Sequence, residues 1–267
     1  MNRITSFLEG KTVFITGATG FLGQPLVEKI LWSAPNVRRI YVLIRPKRLG
    51  GRQISSQQRL EKELFRSSVF ERMRAVYGDG LGEFLREKLV AVPGDISLDG
   101  LGIPAELYET IRNEVDIVIN SAAVVSFDSP LDSALALNVL GAQRVARFAN
   151  DCPKAILIHV STAYVSGTRR GAIPETNYHK VEAGESSDPF PLCAFTDVDL
   201  DIQEICRIIQ EVREEAQSPA VDRKLTELLL KRRKSANGVR QPRRREQRES
   251  LRKKWLETRL IEAGMSL

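Results

Sequence analysis

The residues from Val13 to Gly23, VFITGATGFLG, carry the most chemistry for their length. A β-branched and aromatic run stops at Gly17, and Gly20 and Gly23 follow at intervals of three. A glycine at a strand end permits a tight turn. A second, lacking Cβ, lets a bulky anion approach the main chain, and a third lets the next helix pack closely. The first N–H groups of that helix lack intrahelical acceptors, and the helix dipole puts partial positive charge there. These features together favour a diphosphate held by Gly17, Thr19, Gly20, Phe21, Leu22 and Gly23. The expected ligand is therefore a dinucleotide.

A second chemical signal follows one strand later. Ile40–Ile44 reads as a buried strand, and its end is where an NAD-preferring site places Asp or Glu for the ribose 2′-hydroxyl. Here that place holds Arg45, with Lys47 and Arg48 close behind. A carboxylate would repel a 2′-phosphate, whereas a guanidinium can grip it through two parallel hydrogen bonds. The expectation is NADPH, with Arg45 on the 2′-phosphate and Lys47 or Arg48 in support.

The elements that must position these groups follow from the hydrophobic pattern. Thr12–Thr16, Ile40–Ile44, Leu89–Pro93, Val115–Ile119 and Ala155–Val160 read as strands. A helix after Gly23, a helical insertion over 52–88 and a long helix over 131–150 lie between them. This alternation predicts an α/β fold: a doubly wound, Rossmann-like parallel sheet with a basic helical C-terminal extension. Residues 1–200 are expected to form the nucleotide-binding domain, and 201–267 to begin a substrate-binding part. Ligands in such sheets lie beyond the carboxyl ends of the strands, where each motif also falls. Small residues Ser121, Ala122 and Ala123 after the fourth strand would let a ribose lie over its end.

With these motifs in place, the chain resembles the alcohol-forming fatty acyl-CoA reductases, in the extended branch of the short-chain dehydrogenase/reductase superfamily. The likeness covers about residues 8–200. It rests on Gly17–Gly23, Tyr41–Lys47, Gly94-Asp95, Asn120–Ala123 and His159–Gly167, and Ser67–Met73 resembles the family's inserted helix. The resemblance implies NADPH-dependent reduction of a long-chain acyl-CoA, or acyl carrier protein, thioester to aldehyde and alcohol. It also implies that Asp95 and Ile96 flank the adenine, that Asn138 belongs to the cofactor set, and that Thr162, with Ser161 beside it, orients the carbonyl. Two rivals stand beside it: a nucleotide-sugar epimerase or dehydratase of the same branch, and a non-catalytic cofactor-binding protein. Arg45 and the 52–88 insertion argue against the first.

Catalysis in that superfamily also uses a Tyr and a Lys spaced Y-x-x-x-K. No Tyr here qualifies: Tyr41, Tyr77, Tyr108, Tyr164 and Tyr178 are followed four places on by Arg45, Leu81, Arg112, Thr168 and Glu182. Truncation is the expected account, with cofactor binding retained and little turnover. Cys152, Cys193 and Cys206 lack partners that would favour thiolate, so structural packing is expected of them. His159 is expected to be packed on its strand. His179 has no metal-ligand spacing, and no metal site is expected.

The 267 residues carry a net charge of +6, concentrated from Arg223 to Arg259. Ala194–Leu230 reads as one helix and Arg243–Ala263 as another, with an irregular, Pro-rich loop over 171–195 before them. The basic runs suit either a solvated face or a docking surface for CoA phosphates, acyl carrier protein or anionic lipid. Nucleic acid is disfavoured, for lack of a recognition motif. No stretch approaches the roughly 20 apolar residues needed to cross a bilayer. Residues 1–10 lack a secretion signal, and an odd number of cysteines suits a reducing compartment. The expected location is cytoplasmic, with peripheral membrane contact through the basic region.

Overall fold

The computed structural model describes residues 3–162, 171–172, 198–235 and 244–266. Its strands are β1 (Thr12–Thr16), β2 (Arg39–Ile44), β3 (Lys47–Leu49), β4 (Arg52–Ile54), β5 (Leu89–Pro93), β6 (Ile117–Asn120) and β7 (Ile156–His159). Five form one sheet in the order β5-β2-β1-β6-β7, and each paired neighbour runs parallel. The order reverses between β1 and β6, so the crevice of this doubly wound sheet opens at their carboxyl ends.

The period-2 pattern of β1 and β2 feeds two apolar layers, one on each face. Val13, Ile15, Ile40, Val42 and Ile44 face α1 (Arg3–Leu8), α2 (Gly23–Ser33) and the pieces of the insertion. These pieces include α3 (Ser56–Arg59), α4 (Glu71–Tyr77) and α5 (Leu81–Lys88). Phe14, Tyr41, Leu43 and Val118 face α6 (Ala105–Glu114) and α8 (Leu140–Asp151), which follows α7 (Leu131–Ala134) in the chain. Phe148 of α8 meets Phe14 in a tilted pair at a centroid distance of 4.6 Å and the Tyr108 ring edge-on at 5.2 Å.

Several expectations need correction. The 52–88 insertion is not helical throughout. It opens with β4, the second strand of an antiparallel hairpin with β3 that turns at Gly50 and Gly51, both with positive φ. A π-helical turn, Leu60–Phe65, then extends α3. The helix over 131–150 likewise contains a π-helical turn, Leu135–Val139. Residues 194–230 are not one helix: α9 (Val198–Ala216) ends before Ser218, and α10 begins at Pro219 and runs to Ser235. Pro219 lacks an N–H and suits a first helical position, while the Ser218 hydroxyl accepts the Val221 N–H at 3.3 Å.

The chain divides into two compact units, Met1–Val125 with Leu135–Ser161, and Ser126–Ala134 with Thr162–Leu267. In the second, α9, α10 and α11 (Arg244–Met265) contact one another, and Ile209, Val212, Val221, Leu225 and Leu260 are buried. Much of its described basic charge is internally matched. Arg248 and Arg252 both pair with Asp222, and Arg259 pairs with Glu215 at 3.6 Å and Glu262 at 2.7 Å. No described helix is long and apolar enough to cross a membrane.

Candidate functional site

The turn from β1 into α2 is built by its glycines. Gly17 has φ +72°, a left-handed conformation that side chains disfavour, and a Cβ there would lie 2.5 Å from the Ser121 carbonyl oxygen. At Gly23 a Cβ would lie 2.2 Å from the Gly17 oxygen. The first turn of α2 therefore packs directly on the turn that ends β1. Gly20 is open by comparison: its Cβ would meet only the Gly17 oxygen, at 3.1 Å. Leu22 caps α2 without any side-chain hydrogen bond, so no side chain of the cap competes for the helix's first N–H groups. Gln24 donates to the Thr19 carbonyl at 2.9 Å and holds the loop from within. The Phe21 side chain is 99% exposed, so its part in any phosphate site is played by the backbone.

Beside this turn, Arg45 leaves β2 and meets Asp95, which follows β5, at 3.4 Å. The two expected cofactor residues are thus neighbours across the β2–β5 pair. Burial pushes the Asp95 carboxyl up, but the Ser97 N–H and hydroxyl, with the Arg45 charge, outweigh it and hold the group below its ordinary value. Ile96 is buried in the second apolar layer, where a Cβ at Gly141 would lie 3.0 Å from its Cδ1. A left-handed turn supports this corner. Gly100, Leu101 and Gly102 have φ of 58°, 57° and 59°, and the Leu101 carbonyl accepts the Asp95 N–H at 2.7 Å. Gly94 has to be glycine here, because a Cβ would lie 2.5 Å from that carbonyl oxygen.

The insertion grips the end of β2, a role the sequence reading missed. Ser56 Oγ donates to the Ile44 carbonyl at 2.6 Å, and Arg59 Nη1 donates to the Arg45 carbonyl. The Arg59 side chain is 8% exposed and forks onto Glu63 at 2.8 and 2.6 Å, while Lys47 reaches Glu63 at 3.5 Å. Hydrogen bonds from Arg59 hold the Glu63 carboxyl below its usual range, against burial, and the Arg59 and Lys47 charges add to this. One signal was legible: Ser55-x-x-Gln58 forms a capping box that starts α3. Arg48 lies exposed on β3.

After β6 the chain passes through Ser121, Ala122 and Ala123. Asn138 does not stand free beside them. Its amide accepts the Val124 N–H at 2.8 Å and donates to the Val124 carbonyl at 2.9 Å, which pins this loop. Ser161 and Thr162 follow β7 and are both exposed. His159 is exposed as well, contrary to the expectation of packing. Among the described residues β7 is the edge of the sheet, and all of its residues are exposed. Cys152 is buried, with its thiol pushed up to about 11 by burial, whereas Cys206 is exposed rather than packed. Cys193, His179, Tyr164, Tyr178 and the loop over 173–195 lie outside the described residues. Among the described residues no group of His, Cys, Asp and Glu could hold a metal ion.

An NAD-binding family model described as "Male sterility protein" matches residues 15–254. The chain is 45% identical over 177 residues to fatty acyl-CoA reductase 1 of Arabidopsis thaliana, covering 65% of this chain and 35% of that protein. It is 44% identical over 172 residues to fatty acyl-CoA reductase 8 of the same plant, with 63% and 34% covered. Against the alcohol-forming fatty acyl-CoA reductase of Simmondsia chinensis, identity is 38% over 185 residues, with 68% and 37% covered. The chain spans about a third of the length of these curated relatives.

Proposed function

The chain belongs to the NAD-binding male sterility protein family, and from that premise we propose that it captures NADPH for reduction of a long-chain fatty acyl thioester on CoA or acyl carrier protein. The observation that carries this reading is the bare main-chain turn at the sheet's switch point. Side chains are sterically excluded at Gly17 and Gly23, and the cap of α2 offers no side-chain hydrogen bond. These residues fit a dinucleotide: the Gly20 N–H donates to the Gly17 carbonyl at 2.9 Å and braces the turn, main-chain N–H groups of Thr19 and Phe21–Gly23 hold the diphosphate, and Ser121–Ala123 line the ribose. Asp95 and Ile96 flank the adenine. NADPH is favoured over NADH by Arg45, whose guanidinium is exposed, whose backbone carbonyl is held by Arg59, and which Lys47 and Arg48 follow in the chain.

When bound, the cofactor would supply hydride to the thioester carbonyl carbon. The chain's part is to hold it and, through the Thr162 hydroxyl with Ser161 beside it, to donate a hydrogen bond to the carbonyl oxygen as charge develops there. A Tyr with a Lys four residues later does not occur in these 267 residues. Binding is therefore expected without appreciable turnover. Contact with anionic lipid falls to the basic C-terminal region, within which Arg248, Arg252 and Arg259 already have carboxylate partners.

Titration with NADPH and NADH, followed by addition of a long-chain acyl-CoA, tests the reading. NADPH is expected to bind more tightly, with little loss of reduced-nicotinamide absorbance after acyl-CoA is added. Equal affinity for the two cofactors removes the assignment to Arg45, and absence of binding to either removes the site. Retention on anionic but not neutral vesicles, lost as salt rises, tests the lipid contact.

A further inference from the structure

The carboxyl ends of β1, β6 and β7 carry a row of polar side chains on otherwise apolar strands. Thr16 stands in register with Asn120, and Asn120 with His159. Thr16 and Asn120 are each 1% exposed, so their polar atoms need partners inside the protein. With the Thr16 hydroxyl donating to Asn120 Oδ1, the direction of the remaining bonds follows. The Ala122 N–H can only donate, and it reaches Thr16 Oγ1 at 3.2 Å. The single Thr16 hydroxyl proton goes to Asn120 Oδ1, at 2.6 Å. That turns the Asn120 NH2 toward His159, whose Nδ1 lies 3.1 Å away and must accept. The imidazole proton is thereby placed on Nε2. The main chain repeats the link, with the Val160 N–H donating to the Asn120 carbonyl at 2.9 Å.

We propose that His159 is a positioning residue of the cofactor site: as the Nε2–H tautomer it anchors a hydrogen-bond chain through Asn120 and Thr16 to the Ala122 N–H, and holds the strand end that leads to Ser161 in register with the loop after β6. What Ala122 faces rests on the cofactor reading above, whereas the chain of bonds does not. Loss of the acceptor at His159 leaves a buried amide N–H unpaired. The remaining bonds can then reorient, and the Ala122 N–H loses its fixed partner. Asn at this position keeps an acceptor near the place of Nδ1, and Leu keeps the bulk without one.

The test uses the full 267-residue chain. His159→Leu is expected to raise the NADPH dissociation constant about tenfold, the effect of one unpaired buried donor, while His159→Asn stays within about threefold of wild type. In the unsubstituted chain, NMR should detect a scalar coupling across the hydrogen bond between Asn120 Nδ2 and His159 Nδ1. The coupling needs no variant to fold. Wild-type affinity in both variants, equal impairment of both, or absence of the coupling overturns the proposal. If the unsubstituted chain binds no NADPH, the cofactor reading fails instead, and the coupling alone decides whether the chain of bonds exists.

Discussion

Replacing Gly23 by Ala adds one methyl group at a place where the main chain leaves no room for it. The new Cβ would sit 2.2 Å from the Gly17 carbonyl oxygen, about 0.8 Å inside the 3.0 Å limit of real Cβ contacts, and 2.7 Å from Ala18 Cα. Both obstacles are backbone, so no rotamer change relieves them. Either α2 moves away from β1 or the Gly17–Thr19 turn opens. Overpacking of this kind costs about 1–3 kcal/mol, equivalent to a fall in Tm of about 2–12 °C for a domain of this size. The displaced turn also misaims the N–H groups that hold the diphosphate. Losing one charge-assisted hydrogen bond, about 1.5–3 kcal/mol, weakens NADPH about 10- to 150-fold. Gly20→Ala supplies the contrast. Its Cβ meets the Gly17 oxygen at 3.1 Å, so Tm should barely move, yet the methyl stands where the diphosphate is expected. Thermal unfolding and isothermal titration calorimetry on the three proteins give both numbers. Unchanged Tm and an NADPH affinity within about twofold of wild type in Gly23→Ala would refute the packing argument and, with it, the cradle.

Further substitutions separate the neighbouring parts. Arg45→Glu should weaken NADPH about 10- to 100-fold and NADH by about threefold or less, by calorimetry. Tm should shift little, because the Arg45 side chain is 61% exposed and its pair with Asp95 contributes only about 0–1 kcal/mol. Glu63→Gln leaves the buried Arg59 with a neutral partner and should lower stability at neutral pH by about 1–3 kcal/mol. Because the native Glu63 carboxyl titrates below its ordinary value, the pair's contribution is full above about pH 4.3 and is lost as pH falls through the native value. Denaturation of the two proteins from neutral to acid pH should therefore converge, and a gap that widens toward acid contradicts the assigned pair. Phe148→Ala removes a ring that is 1% exposed between Phe14 and Tyr108, and should cost about 3–5 kcal/mol in urea denaturation.

The central features were legible because they are local. A β-branched run and three glycines at intervals of three report on a few consecutive residues. So β1, its turn and α2 could be read before any contact was known. The placement of Arg45 followed from counting to the end of the next strand. The hairpin at Lys47–Ile54 was missed because each strand is three residues long, too short for a period-2 pattern to stand out. The break at Ser218-Pro219 was overlooked although its residue types announce it.

Sequence alone thus determined the succession of the five parallel strands along the chain and which residues stand at their carboxyl ends, since backbone preference and hydrophobic period act over neighbouring positions. Tertiary structure decided what those residues do there. Asn138 holds the Val124 backbone 14 positions away, Arg59 holds the Arg45 carbonyl, and Asn120 is oriented by Thr16, 104 positions earlier in the chain. Hydrogen-bond direction is set by which donor finds which acceptor after the strands align, and register between distant strands is a property of the packed sheet rather than of any one segment.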